Sequence, residues 1–129
     1  MKLGYIILYV ADVAATVAFY ERAFGLKCRF VHEAGQYAEM ETGATALAFV
    51  AEDFAASNGL AFRKNRASEP AAGAEVGLVS ADVTVDFKRA IDAGATAVAQ
   101  PAKKPWGQTV SYVRDCNGVL VEICSAMTG

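Results

Sequence analysis

The chain contains one pattern twice, first as Tyr5-Ile6-Ile7-Leu8-Tyr9-Val10-Ala11-Asp12-Val13 and, 70 residues later, as Glu75-Val76-Gly77-Leu78-Val79-Ser80-Ala81-Asp82-Val83. Each copy begins with a run rich in β-branched and apolar residues, which is typical of a strand. Each run ends at an aspartate, whose side chain can accept a hydrogen bond from the free N–H groups of a helix's first turn. The sequence therefore predicts a strand followed by a capped helix at both places, as two copies of one structural unit.

A helical spacing of apolar residues follows each aspartate. On one face of the first helix lie Val13, Val17, Tyr20 and Phe24. On one face of the second helix lie Val83, Phe87, Ala90 and Ile91. Gly25 and Gly94 are placed to end the two helices, because glycine adopts the left-handed conformation needed there.

Three strand-like runs separated by turn residues come after each helix. In the first copy they are Lys27–Glu33, Gln36–Glu41 and Thr45–Ala51. In the second copy they are Thr96–Pro101, Thr109–Arg114 and Val119–Cys124. The sequence therefore predicts a single α+β domain of two βαβββ modules, residues 1–51 and 74–126. A connector, residues 52–73, joins them and contains a possible short helix at Asp53–Ser57.

Composition limits the function classes. The 129 residues are 54% hydrophobic and 20% charged, which fits one globular domain. A net charge of −2 and the absence of a long apolar run give no reason to expect nucleic acid or a membrane as partner. Three cysteines without metal-ligand spacing suit a reducing cytoplasm. We expect a cytoplasmic protein whose partner is a small molecule or another copy of itself.

The most specific stretch runs from Pro105 to Ile123 and contains Trp106-Gly107, the turn Asp115-Cys116-Asn117-Gly118 and a strand with Glu122. With Phe19-Tyr20 and Phe24-Gly25-Leu26 of the first helix, it resembles the vicinal oxygen chelate superfamily of glyoxalase I, bleomycin-resistance proteins and extradiol dioxygenases. Cys116 stands where that turn usually has proline. The resemblance implies that two sheets pair to form a trough, and it also implies a homodimer.

The resemblance also implies four metal-ligand positions, which fall on Tyr5, Leu47, Glu75 and Glu122. Tyr5 is a poor ligand because a phenol titrates near pH 10, and Leu47 cannot bind a metal at all. Only Glu75 and Glu122 could hold a divalent zinc, nickel, iron or manganese ion. The sequence therefore favours no metal and no other cofactor.

Strand alternation predicts which residues line the trough. Besides the two glutamates, the predicted ligand-binding residues are Tyr5, Ile7, Tyr9, Leu47, Phe49, Gly77, Trp106, Tyr112 and Arg114. An apolar, aromatic cup with a few polar groups is the usual composition of a small-molecule pocket. The same side chains could instead fill the space between the sheets.

The same alternation places Glu75 and Glu122 on the trough face. They could bind a ligand, share a proton so that one pKa is raised, or stay hydrated beside a wide cleft. If the two carboxylates are close, they favour a cationic or hydrogen-bond-donating ligand. As catalytic residues, they would serve a metal-dependent enzyme.

Three functions are open at this point. The first is a metal-independent small-molecule-binding protein of the bleomycin-resistance type. The second is a metal-dependent lyase or isomerase resembling glyoxalase I, a lactoylglutathione lyase, with Glu75 and Glu122 as ligands. If the protein is an enzyme, a lyase is favoured over a dioxygenase. The third is a non-catalytic interaction module with a closed trough.

Overall fold

The computed structural model describes residues 1–127. The chain divides into two compact units, Met1–Asn65 and a second that begins at Arg66. The connector predicted at residues 52–73 is therefore shared, with its first part in the first unit and its last part in the second. Each unit is described below by itself.

The first unit contains one four-stranded sheet in the order β1-β4-β3-β2, in which β1 is parallel to β4 and the other pairs are antiparallel. Its elements are β1 (Tyr5–Val10), α1 (Val13–Phe24), β2 (Lys27–Val31), β3 (Tyr37–Glu41), β4 (Ala46–Ala51) and α2 (Glu52–Ser57).

The second unit repeats this topology, with its sheet in the order β5-β8-β7-β6. Its elements are β5 (Glu75–Val79), α3 (Val83–Asp92), β6 (Thr96–Lys103), β7 (Thr109–Arg114) and β8 (Leu120–Cys124). The predicted α+β architecture of two βαβββ modules is confirmed. Strand β6 continues past Pro101, where it was predicted to end; it is an edge strand with two register shifts, so a missing backbone N–H is tolerated there.

Both long helices begin where the aspartates predict. The Asp12 side chain accepts a hydrogen bond from the Ala15 N–H at 2.9 Å, and the Asp82 side chain accepts one from Val85 at 3.1 Å. Gly25 caps α1 with a φ of 68°. The end of α3 differs, because Ala93 is its cap and Gly94 follows with a φ of 110°.

The core of each unit lies between its sheet and its long helix. In the first unit Tyr20 of α1 and Phe49 of β4 are fully buried, and their ring centroids are 4.9 Å apart. In the second unit Phe87 of α3 is buried, as are Val113 and Val121 on the two central strands. We call this side of each sheet the helix face and the other side the opposite face.

The turn between β7 and β8 holds its shape without proline. The Asp115 carboxylate oxygen Oδ1 accepts hydrogen bonds from the N–H groups of Asn117 and Val119, at 2.8 and 2.9 Å. Gly118 completes the turn with a φ of 86°. A side chain there would meet the protein, since an added Cβ would lie 2.5 Å from Arg114 Nη2 and 2.6 Å from the Arg66 carbonyl oxygen.

We expect Gly118→Ala to destabilise the protein by more than the roughly 1–2 kcal/mol that a left-handed conformation costs a non-glycine residue. The extra loss of stability comes from displacing the Arg114 guanidinium and the Arg66 carbonyl group, which the new methyl group would contact. Gly35→Ala is the matched control, because Gly35 has a φ of +70° and open space around its Cβ. Urea denaturation of the two variants would measure the difference, and equal losses would contradict the proposed clash.

Candidate functional site

Two carboxyl groups meet on the opposite face of the second unit. Strand β5 pairs in parallel with β8, and Gly77 stands beside Glu122 in that register. Glu75 lies two residues before Gly77 and so points to the same face. Burial raises the pKa of Glu75, and the hydrogen bond and negative charge of Glu122 raise it further. Of the three predicted states of this pair, these shifts favour the one in which the carboxyls share a proton.

Glu122 is the partner that ionises more readily. Burial alone would raise its pKa, but hydrogen bonds from Cys124, Tyr112 and Glu75 outweigh burial and hold the pKa below its usual range. The Tyr112 hydroxyl donates to Glu122 Oε1 at 2.9 Å. When the pair holds a single proton, these shifts place it on Glu75 and leave Glu122 as the carboxylate.

The donors around Glu122 keep their own protons. Its hydrogen bond raises the pKa of Tyr112 to about 12, with burial adding to the effect. Burial, followed by the hydrogen bond to Glu122, raises the pKa of Cys124 to about 11. At neutral pH the phenol and the thiol are hydrogen-bond donors, so Glu122 carries the negative charge of this cluster.

Space is open beside the carboxyl pair. A Cβ added to Gly77 would meet no described atom within 4 Å. Glu75 and Leu120 line a cavity of about 210 Å³, together with residues 72–74. A ligand group can therefore approach Glu75 from this side.

The first unit has no carboxyl at the equivalent position. Ile7 pairs with Ala48 as Gly77 pairs with Glu122, so Ala48 is the structural equivalent of Glu122. The prediction that Leu47 and Phe49 lie on the opposite face is wrong. The Phe49 ring packs against Tyr20 of α1, and Leu47, two residues before it on the same strand, also points to the helix face. Ala48 follows Gly43 by one residue more than Glu122 follows Gly118. The prediction assumed equal spacing, and an error of one residue moves every side chain of a strand to the other face.

Tyr5, Ile7 and Tyr9 lie on the opposite face of the first unit, as predicted. Tyr5 is 57% exposed and Ile7 is 43% exposed. The Tyr9 ring instead packs edge-on against Phe62, with centroids 4.7 Å apart. Phe62 lies in the predicted connector and was not among the predicted residues, because the sequence does not show which strand a long loop packs against.

Two predicted lining residues of the second unit have other partners. Arg114 donates from its guanidinium to the backbone carbonyls of Gly118, Arg66, Ala67 and Glu69, at 2.6 to 3.3 Å. It holds the start of this unit against β7, which differs from the predicted role in ligand binding. Trp106 is 59% exposed in the β6–β7 turn, and its indole N–H donates to Gln108 at 2.8 Å.

A second polar cluster, in the first unit, was missed by sequence reasoning. Glu39 and Tyr37 of β3 lie on the opposite face, and Arg29 of β2 joins them. Cys28 pairs with Met40 on the helix face, so alternation places Arg29 on the opposite face, and a β-bulge puts Phe30 beside Glu39 on that same face. The alternation Tyr37-Ala38-Glu39-Met40-Glu41 carried the signal, because it places two carboxylates on one side of a half-covered strand.

The donor set does not fit the metal centre of the enzymes. Within residues 1–127 no three histidine, cysteine, aspartate or glutamate side chains are grouped so that they could hold a metal ion. In the first unit the position equivalent to Glu122 is Ala48, whose side chain has no ligating atom.

Two βαβββ units of the same topology, with a carboxyl on the last strand of the second, define the class of two-module βαβββ proteins. The profile described as Glyoxalase/Bleomycin resistance protein/Dioxygenase superfamily matches residues 2–123, and the chain belongs to that family. No curated protein matches the sequence. Within residues 1–127, no helix is both long and apolar enough to cross a bilayer.

Solved structures share the fold. A glyoxalase-related enzyme from Fulvimarina pelagi aligns with a TM-score of 0.82 at 20% identity, covering 98% of this chain and 88% of that one. TioX from Micromonospora sp. ML1 aligns with a TM-score of 0.72 at 24% identity, covering 97% and 98%. An integron cassette protein of V. cholerae aligns with a TM-score of 0.68 at 26% identity, covering 97% and 94%.

The Glu75–Glu122 pair predicts a pH dependence of stability. A raised carboxyl pKa in the folded state stabilises the protein below the unfolded pKa of about 4.5, and this contribution is lost as pH rises through the folded pKa. Glu122, with a lowered pKa, acts in the other window: its contribution is present above about pH 4.5 and lost as pH falls.

We therefore expect Glu75→Gln to be less sensitive than the wild type to a rise from pH 4.5 to 8, because glutamine keeps the hydrogen bond and cannot ionise. Thermal unfolding across this range measures the effect. Glu69→Gln, an exposed carboxylate of the same unit, is the control for the change in net charge. Parallel pH profiles for the wild type and Glu75→Gln would show that the two carboxyls do not share a proton.

Proposed function

We propose that this protein binds a small molecule without a metal, as a member of the bleomycin-resistance type within its family. The observation that carries the proposal is the Glu75–Glu122 pair, which shares a hydrogen bond on the opposite face of the second unit. We propose that this pair receives a cationic or hydrogen-bond-donating group of the ligand.

The charge of the pair supports this choice. With one shared proton the pair keeps one negative charge, and Glu122 is only partly exposed. A partly buried charge is stabilised when an opposite charge approaches it. A ligand cation meets this requirement, whereas an anion would be repelled by Glu122 and would raise the pKa of Glu75 further.

The surroundings suit a ligand with an apolar or aromatic part. Gly77 leaves space beside the pair, and the Tyr112 ring lies next to it on the neighbouring strand. The Tyr112 hydroxyl already donates to Glu122, so its ring is held in place. A flat ligand could stack on that ring while its donor reaches the carboxylate.

The remaining parts of the sequence interpretation stay predictions. They are a trough formed by both modules, a homodimer and a cytoplasmic location. Sedimentation velocity would measure the oligomeric state directly.

The proposal predicts that an aromatic cation, or bleomycin, binds the wild type and binds Glu122→Gln about tenfold or more weakly. The loss of a charge-assisted hydrogen bond costs about 1.5–3 kcal/mol, and each 1.4 kcal/mol is a factor of about ten in affinity. Isothermal titration calorimetry with a ligand panel measures this, and Glu69→Gln again controls for net charge. Glutamine at position 122 still accepts from Tyr112, so the fold is expected to survive.

Two results would overturn the proposal. One is the absence of binding across the cationic and aromatic ligands of the panel. The other is stoichiometric uptake of zinc, nickel, iron or manganese together with lactoylglutathione formation, both lost in Glu75→Gln and Glu122→Gln. That outcome would assign the metal-dependent lyase that the family resemblance also implies.

A further inference from the structure

The first unit contains a cavity of about 380 Å³ beside Glu39. Pockets for small molecules usually measure about 300–1,000 Å³, so a fragment-sized ligand fits this one. The cavity is lined by Lys2, Gly4, Tyr5, Arg29, Glu39, Ala44 and Ala46. All of these residues belong to the first unit, so the cavity does not depend on the Glu75–Glu122 pair.

The carboxylate of Glu39 is buried and held in a fixed position. Its side chain is 10% exposed. The Tyr37 hydroxyl donates to Oε2 at 2.6 Å, and Arg29 Nη1 donates to Oε1 at 3.2 Å. An ionised carboxylate has about four acceptor sites, and these two hydrogen bonds use two of them. Glu39 lines the cavity and therefore has acceptor capacity left for a ligand.

One arginine serves both carboxylates of this cluster. Arg29 also donates to both carboxylate oxygens of Glu41, at 2.7 and 2.9 Å. These hydrogen bonds raise the pKa of Arg29 and keep its guanidinium charged. One guanidinium therefore serves two carboxylates, so these three side chains together carry one negative charge, and Lys2 on the cavity wall is a separate positive charge. Glu39 is the more buried of the two carboxylates.

The rest of the wall suits an organic cation. The Tyr5 ring offers an aromatic surface to which an ammonium group is attracted. Gly4, Ala44 and Ala46 carry little or no side chain and leave room for the body of the ligand. Lys2 also lines the cavity, and its positive charge opposes a bound cation.

We infer that this cavity is a binding site for a small organic cation, a primary or secondary amine with an aromatic body, with Glu39 as its counter-ion and Tyr5 as its aromatic wall. Recognition comes from an ammonium N–H that donates to Glu39. The aromatic body lies against Tyr5 and the small residues.

The test compares benzylamine, which is a cation at neutral pH, with benzyl alcohol, which has similar size and no charge. Both are titrated into the ¹⁵N-labelled full chain, and amide shifts are followed by NMR. We expect benzylamine to shift the amides of Tyr5, Glu39 and Ala46 and to bind at least tenfold more tightly than benzyl alcohol.

Variants assign the roles. Glu39→Gln should weaken benzylamine binding at least tenfold, and Lys2→Gln should strengthen it severalfold by removing an opposing charge. Glu33→Gln removes the same charge from an exposed turn of the same unit and should leave binding unchanged. If Glu39→Gln does not fold, Ala44→Phe replaces it, because Ala44 is exposed and a larger side chain there fills the cavity without touching the core.

Equal affinity for benzylamine and benzyl alcohol would overturn the inference. So would unchanged benzylamine binding in a folded Glu39→Gln or in Ala44→Phe. Shifts confined to Glu75, Tyr112 and Glu122 would also overturn it, while supporting the proposed function of the second unit. The two proposals therefore succeed or fail separately.

Discussion

The parallel pairing of the first and last strands of each unit decides which side chains can act together. Parallel strands fix a register in which paired residues point to the same face. In the second unit this register brings Gly77 beside Glu122 and Glu75 beside Leu120. The helix covers one side of the sheet, so every polar group on these strands must collect on the other side. The carboxyl pair, its donors and the open space above Gly77 all follow from this constraint.

The same constraint gives the two units different chemistry. Where the second unit has Gly77 and Glu122, the first has Ile7 and Ala48. The acidic group of the first unit lies one strand further from β1, at Glu39 of β3, and its partner is an arginine instead of a second carboxyl. One topology thus carries a shared-proton pair in one unit and an arginine-bound carboxylate in the other.

Much of this could be predicted from the sequence, because local signals agree with the fold. The capping aspartates, the helical spacing and the turn residues predicted the element order, and the strand ends differ from the predicted ones by at most two residues. The family resemblance identified Glu75 and Glu122, and strand alternation placed both on the same face of the sheet. Alternation failed at Leu47 and Phe49, because the length of one turn sets the parity of a strand and the repeat gave the wrong length. The partners of Arg29 and Arg114 could not be predicted, because the first depend on a side-chain conformation and the second on how a loop folds back.

The thiol of Cys124 shows what the carboxylate of Glu122 does to its neighbours. Reactivity toward oxidants and electrophiles belongs to the thiolate, which the ordinary cysteine pKa makes a minor form at neutral pH. With a pKa of about 11, roughly one molecule in 10,000 carries a thiolate at pH 7. The sulfur is also buried, at 5% exposure. Burial and the acidic cluster together therefore protect this cysteine from peroxide and from alkylating compounds, so a reactive or electrophilic ligand could occupy the neighbouring surface without modifying Cys124.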